Sequence, residues 1–466
     1  MRTIVFDDDP TGSQAVHDVA IAPVIDIRAI EEALRLPAST CFVLTNTRSL
    51  DEPEAVRLTT DLAGALFGWA IENDQAVEIV SRGDSTLRGH VIAEVQAING
   101  ARRAAYGSGY DGVLLVPAFF EAGRSTSGDI QWVRVGDSTV PMGETEFARD
   151  LTFGYSASNL RDFVAEKSAG AIGVPDVLSI SLEDIRKGGV PRVSDLLRHA
   201  HGCQFVVVNC TEYSDLDTVV LAVHALEQEG RRFLYRTGPS FVRSLIGQEG
   251  HPALTSPEIW GTQRRPGHGI VVVGSHVGQT AHQIDALRSL DDLAELEVSV
   301  ADVIDPVRRE GYLASLSKQV IASLATMDVV LYTSREVVRG GNARDSLRVA
   351  REVSSALVEL VKDAVGAKPA WMIAKGGITS HDIAVHAVGM RSAVVLGQLF
   401  PGMVSVLRLT SAPEAVIGMP YVIFAGNVGG TTALRDSVET LRGEGFGQPR
   451  ENARPPSSDG VLDSRG

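Results

Sequence analysis

An α/β fold of two domains with mainly parallel sheets is what this sequence predicts, and three observations carry the prediction. Short continuous runs of Val, Ile and Leu alternate with longer stretches of helical periodicity, the pattern of buried parallel strands covered by helices. The 466 residues exceed the size at which one hydrophobic core keeps growing, so the chain divides into two units of roughly 170–270 residues. Between residues 247 and 269, Pro252, Pro257, Pro266 and the basic pair Arg264 and Arg265 interrupt the pattern before a new apolar run opens at Ile270. The first domain is therefore placed at 1–250 and the second at 268–446. The Pro-, Ser-, Gly- and charge-rich end, 447–466, is expected to be a disordered tail.

In the first half, strands are expected at 3–7, 41–45, 76–80, 113–116, 177–180 and 205–208. Val56, Ala63, Leu66 and Ala70 share one face at helical spacing behind Pro53, which predicts a helix over 54–71. The second half repeats this grammar, with strands at 270–273, 329–332, 371–374, 393–396 and 421–424 and a long helix over 344–365.

Composition narrows the partners. The apolar fraction of 44% and charged fraction of 22% are those of ordinary globular protein. Forty-three basic against 58 acidic residues leave a net charge of −15, which argues against nucleic-acid binding. The start of the chain has no secretory leader pattern, and no apolar run reaches the ~20 residues that span a bilayer. Cys41, Cys203 and Cys210 lack metal-type spacing, as suits a reducing compartment, so a soluble cytoplasmic protein is expected. A chain this acidic repels small anions, and any anionic ligand must be held by local arginines and backbone N–H groups.

Polar groups crowd the ends of the expected strands. Asp7, Asp8 and Asp9 follow the first, with Pro10-Thr11-Gly12 behind them. Thr45-Asn46-Thr47-Arg48 follows the second. Ser81-Arg82-Gly83-Asp84-Ser85-Thr86-Leu87-Arg88-Gly89-His90 follows the third, and a turn carrying Phe119, Gly123 and Arg124 follows the fourth. Ligands of open α/β sheets bind outside these ends. Arg48, Arg82, Arg88 and Arg124 suit a substrate carboxylate and Ser85 a hydroxyl, while Asp8, Asp9 and Asp84 are candidate proton acceptors. A lone Asp-Pro-Thr-Gly reads equally well as a capping turn, but three adjacent acids exceed what capping needs.

The second half offers glycine turns between strand and helix: Gly274-Ser275-His276-Val277-Gly278, Lys375-Gly376-Gly377-Ile378-Thr379 and Gly426-Asn427-Val428-Gly429-Gly430. Such turns let backbone N–H groups approach phosphate, and three in one domain favour a nucleotide. Ser275, Gly376, Gly377, Ile378, Thr379, Gly426 and Asn427 are the candidate contacts. The 107–112 segment has dinucleotide-fingerprint spacing but precedes a strand instead of following one, so its context fails. A Walker A sequence and the protein-kinase signature set are both absent.

Together these motifs resemble the four-carbon acid sugar kinase family, which includes 3-oxotetronate and threonate kinases. The resemblance rests on Asp8 to Gly12, the Asp84–Gly89 string, Pro117-Ala118-Phe119, Gly123-Arg124 and Glu144–Asp150. In the second half it rests on Gly274-Ser275, Gly376 to Ser380 and Gly426 to Gly429. It implies two α/β domains with the active site in the cleft between them, sugar acid on the first and ATP on the second. The implied reaction is ATP-dependent phosphorylation of a 3-oxotetronate, threonate or erythronate type of acid at its terminal hydroxyl, with Mg²⁺ assisting. By motif, Asp8, Asp9, Arg48, Asp84, Ser85 and Arg88 would face the acid, and Ser275, Gly376, Gly377, Ile378, Thr379 and Gly426 the ATP. Departures are His276-Val277 in place of a serine-rich turn, Ala425 where Ser or Pro is common, and Arg82 where lysine is common. The competing readings are a nicotinamide-dependent hydroxy-acid oxidoreductase and a non-catalytic sugar-acid sensor. Homo-oligomerisation is left open.

Overall fold

The apolar runs of the first half form eight parallel strands, because segments without polar alternation must bury both faces. In sheet order they are Val19–Ala22, Thr40–Leu44, Arg2–Asp7, Val77–Arg82, Phe233–Thr237, Gly112–Val116, Gln204–Val208 and Leu178–Ile180. Helices Glu52–Glu72 and Val91–Tyr106 pack together on one face, where Leu62, Leu66, Val95 and Ile98 join Ile4, Val43 and Ile79 in one core. Helices Tyr213–Gln228 and Pro239–Leu245 cover the other, burying Val219, Val223 and Phe241 against Val5, Phe42 and Val80. A small antiparallel sheet of Arg124–Ser127, Ile130–Val135 and Ser138–Pro141 stands beside this layer.

This computed structural model describes residues 2–9, 12–23, 26–35, 39–274, 278–334, 343–426 and 428–443. Ser275, Asn427 and the expected tail at 447–466 lie outside the described residues.

In the second half, Leu293–Val298, Asp328–Thr333, Ile270–Val273, Met372–Lys375 and Pro420–Phe424 run parallel in that order. Met403–Ser411 and Ser392–Phe400 continue the sheet antiparallel. The last of these pairs with Val19–Ala22 of the first half, so a single 15-stranded sheet runs through both domains. The Asp18 N–H donates to the Val395 carbonyl at 2.6 Å, and the Gln398 side chain donates to the Val16 carbonyl at 2.6 Å. The sequence reading did not contain this seam, because Val19–Ala22 is only four residues long and gives no periodic signal of its own. Joining two sheet edges leaves neither exposed for stray pairing. Among the described residues, no helix is long and apolar enough to cross a membrane.

Candidate functional site

The parallel strands of the first half aim their C-terminal ends at the second half, and the polar loops follow those ends. One strand alters the expected set. Phe233–Thr237 lies between Val77–Arg82 and Gly112–Val116, and it brings Arg236 beneath the loops.

Asp84 is the hub of the first lip. Its carboxylate accepts from Arg88 Nε at 2.7 Å, from the Thr86 N–H at 3.0 Å and from the Thr86 hydroxyl, and lies 3.2 Å from Arg48 Nη1. Burial alone would raise its pKa. The guanidiniums of Arg48 and Arg88 outweigh burial and hold the carboxyl well below the usual range. Asp84 therefore stays ionised. Asp9 is ion-paired with Arg48, and Arg88 also reaches Asp150 at 3.6 Å and stacks over Phe147 at 5.3 Å.

Arg82 is committed below, to Asp7 at 2.9 Å and Gln14 at 3.2 Å. Burial pushes the Asp7 carboxyl up to about 7 against the pull of Arg82. Asp8 is 2 % exposed and 3.5 Å from Arg236, and burial raises its carboxyl despite Arg48 and Arg236. Asp8 thus lies under the floor rather than on it.

Arg124 differs from its neighbours. It donates to Ser85 Oγ at 2.8 Å and sits 5.6 Å from the Phe147 ring and 5.9 Å from that of Phe119. No carboxylate among the described residues pairs with it, and its buried Nε finds no hydrogen-bond acceptor. Burial depresses its pKa, with the Asp84 charge opposing.

The second lip is backbone. Gly377, Ala425, Gly426, Val428 and Gly429 face the cleft with Gln279 and Met403. Their turn is held from behind: Lys375 Nζ donates to the Gly426 carbonyl at 3.1 Å, and Gln283 Nε2 to the Gly430 carbonyl at 2.9 Å and that of Val428 at 3.1 Å. Burial lowers the Lys375 ammonium to about 8. Gly376 takes φ 115°, a conformation that favours glycine, and its N–H donates to the Phe424 carbonyl at 2.8 Å. Gly377, which opens the helix Gly377–Asp382, is not among the left-handed residues.

Between the lips lies a cavity of about 400 Å³. Of the residues singled out in the sequence, Asp9, Arg48, Arg82, Asp84, Ser85, Arg88, Arg124, Gly377 and Gly426 line it. Asp8, Gly376 and Thr379 stand behind its surface, and Thr379 Oγ1 fills the space a Cβ on Gly274 would need. Ile378 lies in the Gly377–Asp382 helix, with its side chain outside the described residues. Ser275 and Asn427 lie outside the described residues altogether. The sequence reading missed Gln14, Phe147, Lys375, Gln279, Arg236 and Glu94. Lys375 stood in a motif that drew attention only to its glycines. Phe147 and Gln279 likewise stood in or beside noted motifs without being given a role, whereas Gln14, Arg236 and Glu94 sit in segments with no motif spacing. The 107–112 segment is a helix end, with Gly107 left-handed just after Val91–Tyr106, and forms no dinucleotide turn.

A family model described as a sugar-binding N-terminal domain matches residues 3–245, more than half the chain, and one described as a nucleotide-binding C-terminal domain matches residues 270–434. Among solved structures, a Salmonella typhimurium LT2 protein described as a candidate tRNA synthase is 15% identical with a TM-score of 0.69, covering 94% of this chain and 98% of its own. A Haemophilus influenzae protein of the family designated DUF1537 is 17% identical with a TM-score of 0.65, covering 95% of this chain and 100% of its own. At these identities the two structures show a shared fold. No curated protein matches the chain. A cleft with a charged lip on a sugar-binding domain and a glycine lip on a nucleotide-binding one agrees with both matches, and the chain belongs to the four-carbon acid sugar kinase family.

Proposed function

We propose that this protein transfers the γ-phosphoryl group of ATP to the terminal hydroxyl of a four-carbon sugar acid of the 3-oxotetronate, threonate or erythronate type. The observation that carries the proposal is Arg124, a half-buried guanidinium with no carboxylate partner among the described residues, facing a glycine backbone lip across the cavity. Arg48, Arg82 and Arg88 are already neutralised by Asp9, Asp84 and Asp7. The substrate carboxylate supplies the missing anion at Arg124, where a planar fork can bind it bidentately.

Asp84 and Asp9 are the carboxylates at the cavity surface, and the substrate hydroxyls lie within their reach in this reading. Asp84 is a weak base, because two guanidiniums stabilise its ionised form. A loose phosphoryl-transfer transition state asks for alignment and charge neutralisation more than for a strong base. Asp84 then orients the attacking hydroxyl and accepts its proton late, with Asp9 as the alternative acceptor. The backbone of Gly377, Gly426, Val428 and Gly429 approaches the phosphates, where added bulk would stand in the way.

Mg²⁺ fits this site through oxygen donors. Asp8 Oδ1 is buried with no hydrogen-bond partner, and Asp9 stands next to it at the cavity surface. One or two carboxylates beside substrate phosphates are the usual Mg²⁺ environment. When bound, the ion would neutralise charge on the phosphates.

The test is ADP release with ATP, Mg²⁺ and a panel of four-carbon acids, run beside calorimetry for each ligand. Turnover with at least one acid is expected. Binding of acid without ADP release would favour the sensor reading, and neither binding nor turnover would sink the assignment.

A further inference from the structure

Beneath the cleft floor, one buried ion pair touches the strand ends that carry the substrate-facing groups. Arg236, in the strand Phe233–Thr237, is 3 % exposed, and Glu94, on the helix Val91–Tyr106, is 4 % exposed. Their guanidinium and carboxylate are paired. Arg236 Nη1 also donates to Ser81 Oγ at 2.8 Å, and Nη2 lies 3.5 Å from Asp8 Oδ2. The other Glu94 oxygen accepts from the Thr47 hydroxyl.

The three partners share a position. Thr47 precedes Arg48, Ser81 precedes Arg82, and Asp8 precedes Asp9, and all three following residues line the cavity. The loop between Gly83 and Gly89 rests on the same guanidinium. A Cβ on Gly83 would fall 2.5 Å from Arg236 Cζ, and one on Gly89 would fall 3.1 Å from Arg236 Nη2. This loop carries Asp84, Ser85 and Arg88. Neither Arg236 nor Glu94 reaches the cavity.

We infer that the Arg236–Glu94 pair is a positioning device: it registers Arg48, Arg82, Asp9 and the Asp84 loop against one another, and so sets recognition of the acid without touching it. The inference rests on the reading of this cleft as a sugar-acid site. A buried ion pair is a poor device for stability alone, since well-packed apolar residues do as well. It does fix geometry, because a rigid guanidinium can serve Glu94, Ser81 and Asp8 at once and an ammonium cannot.

The experiment measures acid and ATP affinity by calorimetry, with the four-carbon acid that turns over fastest as the probe. Arg236→Lys should weaken acid binding ~10–100-fold with ATP affinity unchanged, the scale of a misplacement near 1 Å. Thr47→Val, which keeps shape and loses one link, should raise the acid KM ~3–10-fold and leave the ATP KM alone. The charge-balanced double variant Glu94→Met/Arg236→Met guards against a folding failure. It should melt as a cooperative unit and still lose acid affinity. Wild-type acid affinity in Arg236→Lys and in the folded double variant overturns the inference while the sugar-acid reading stands. A wild-type protein that binds none of the acids overturns both.

Discussion

The two lips of the cleft are built from different materials. The lip on the first domain is a mesh of charged side chains, each guanidinium except Arg124 held by a carboxylate. The lip on the second is mainly backbone, with glycines forward beside the uncharged Gln279 and Met403, and Lys375 and Gln283 bracing the carbonyls from behind. The difference teaches where chemistry and shape are each decided. A sugar acid is recognised by its own charge and hydroxyls, so its lip must present side chains with correct charge. A phosphate chain can be met by N–H groups alone, so its lip must keep side chains away. In a protein of net charge −15, neither anion would approach without these local arrangements. The first lip should therefore break when charge or fork geometry changes, and the second when a Cβ is added.

The largest effect is expected on the second lip. Gly377→Val should lower ATP affinity by more than ~100-fold while acid binding persists, because bulk there occupies the path of the phosphates. Gly377 is not left-handed, so the variant should melt close to wild type. Gly376→Ala, at φ 115°, should instead destabilise by ~1–3 kcal/mol. Calorimetry with ATP beside thermal melts of both variants would decide. A Gly377→Val protein that melts early yet binds ATP would place the nucleotide elsewhere.

On the first lip, Asp84→Asn should slow turnover ~100-fold. It also removes the charge that fixes Arg48 and Arg88, so the acid KM should rise with it. An unchanged kcat would move the proton acceptor to Asp9, and Asp9→Asn would then be the slow variant. The next effect down separates two arginines. Arg124→Lys should raise the acid KM ~10–50-fold and leave the ATP KM unchanged, since an ammonium lacks the bidentate fork. Arg88→Lys should do less, because Arg88 is already engaged by Asp84 and Asp150. The reverse order would mean that the substrate carboxylate displaces Asp150 at Arg88.

Much of this arrangement could be read along the chain because it is local. The Asp84–Gly89 string, Asp9 and Arg48 follow strands whose apolar runs are unmistakable, and Asp84, Ser85, Thr86 and Arg88 of the string reach the cavity with Asp9 and Arg48. Gly377 and Gly426 were legible for the same reason. What escaped is non-local. Arg236 lies in Phe-Leu-Tyr-Arg-Thr, a strand whose central position in the sheet depends on which neighbours it finds, and no motif marks it. Glu94 is one acid on a helix, and its burial against Arg236 is a fact of packing rather than of spacing. The interdomain seam is likewise a pairing between residues more than 370 positions apart, Ala20 with Val394. Asp8 shows the limit of adjacency: beside Asp9 it was read as a proton acceptor facing the acid, whereas its side chain is 2 % exposed and turns under the floor toward Arg236.

The smallest effect on ligand binding and turnover comes from a pair of pH responses that separate the two domains. Glu78, in the first domain, is 7 % exposed, and burial together with the Glu227 charge pushes its carboxyl up to about 7 from 4.5. A raised carboxyl binds its proton more tightly in the fold than in the unfolded chain. Its stabilising contribution is thus complete below pH 4.5 and lost as pH rises through about 7. Asp7 acts in the same direction over a similar window, although its ion pair with Arg82 would also break on substitution. Lys375 of the second domain has the opposite sign in a different window. Its ammonium is lowered to about 8 from 10.5, so the fold gains stability as pH rises between those values and is indifferent below them. Unfolding free energy should accordingly fall from pH 5 to pH 8, with Glu78 alone supplying on the order of 2–3 kcal/mol. Glu78→Gln keeps the side-chain volume and removes the titration. It should flatten the profile between pH 5 and 8 and melt higher than wild type at pH 8, with ATP affinity unchanged. An unflattened profile would mean that Glu78 is ionised in the fold, and the pH response would then belong to Asp7.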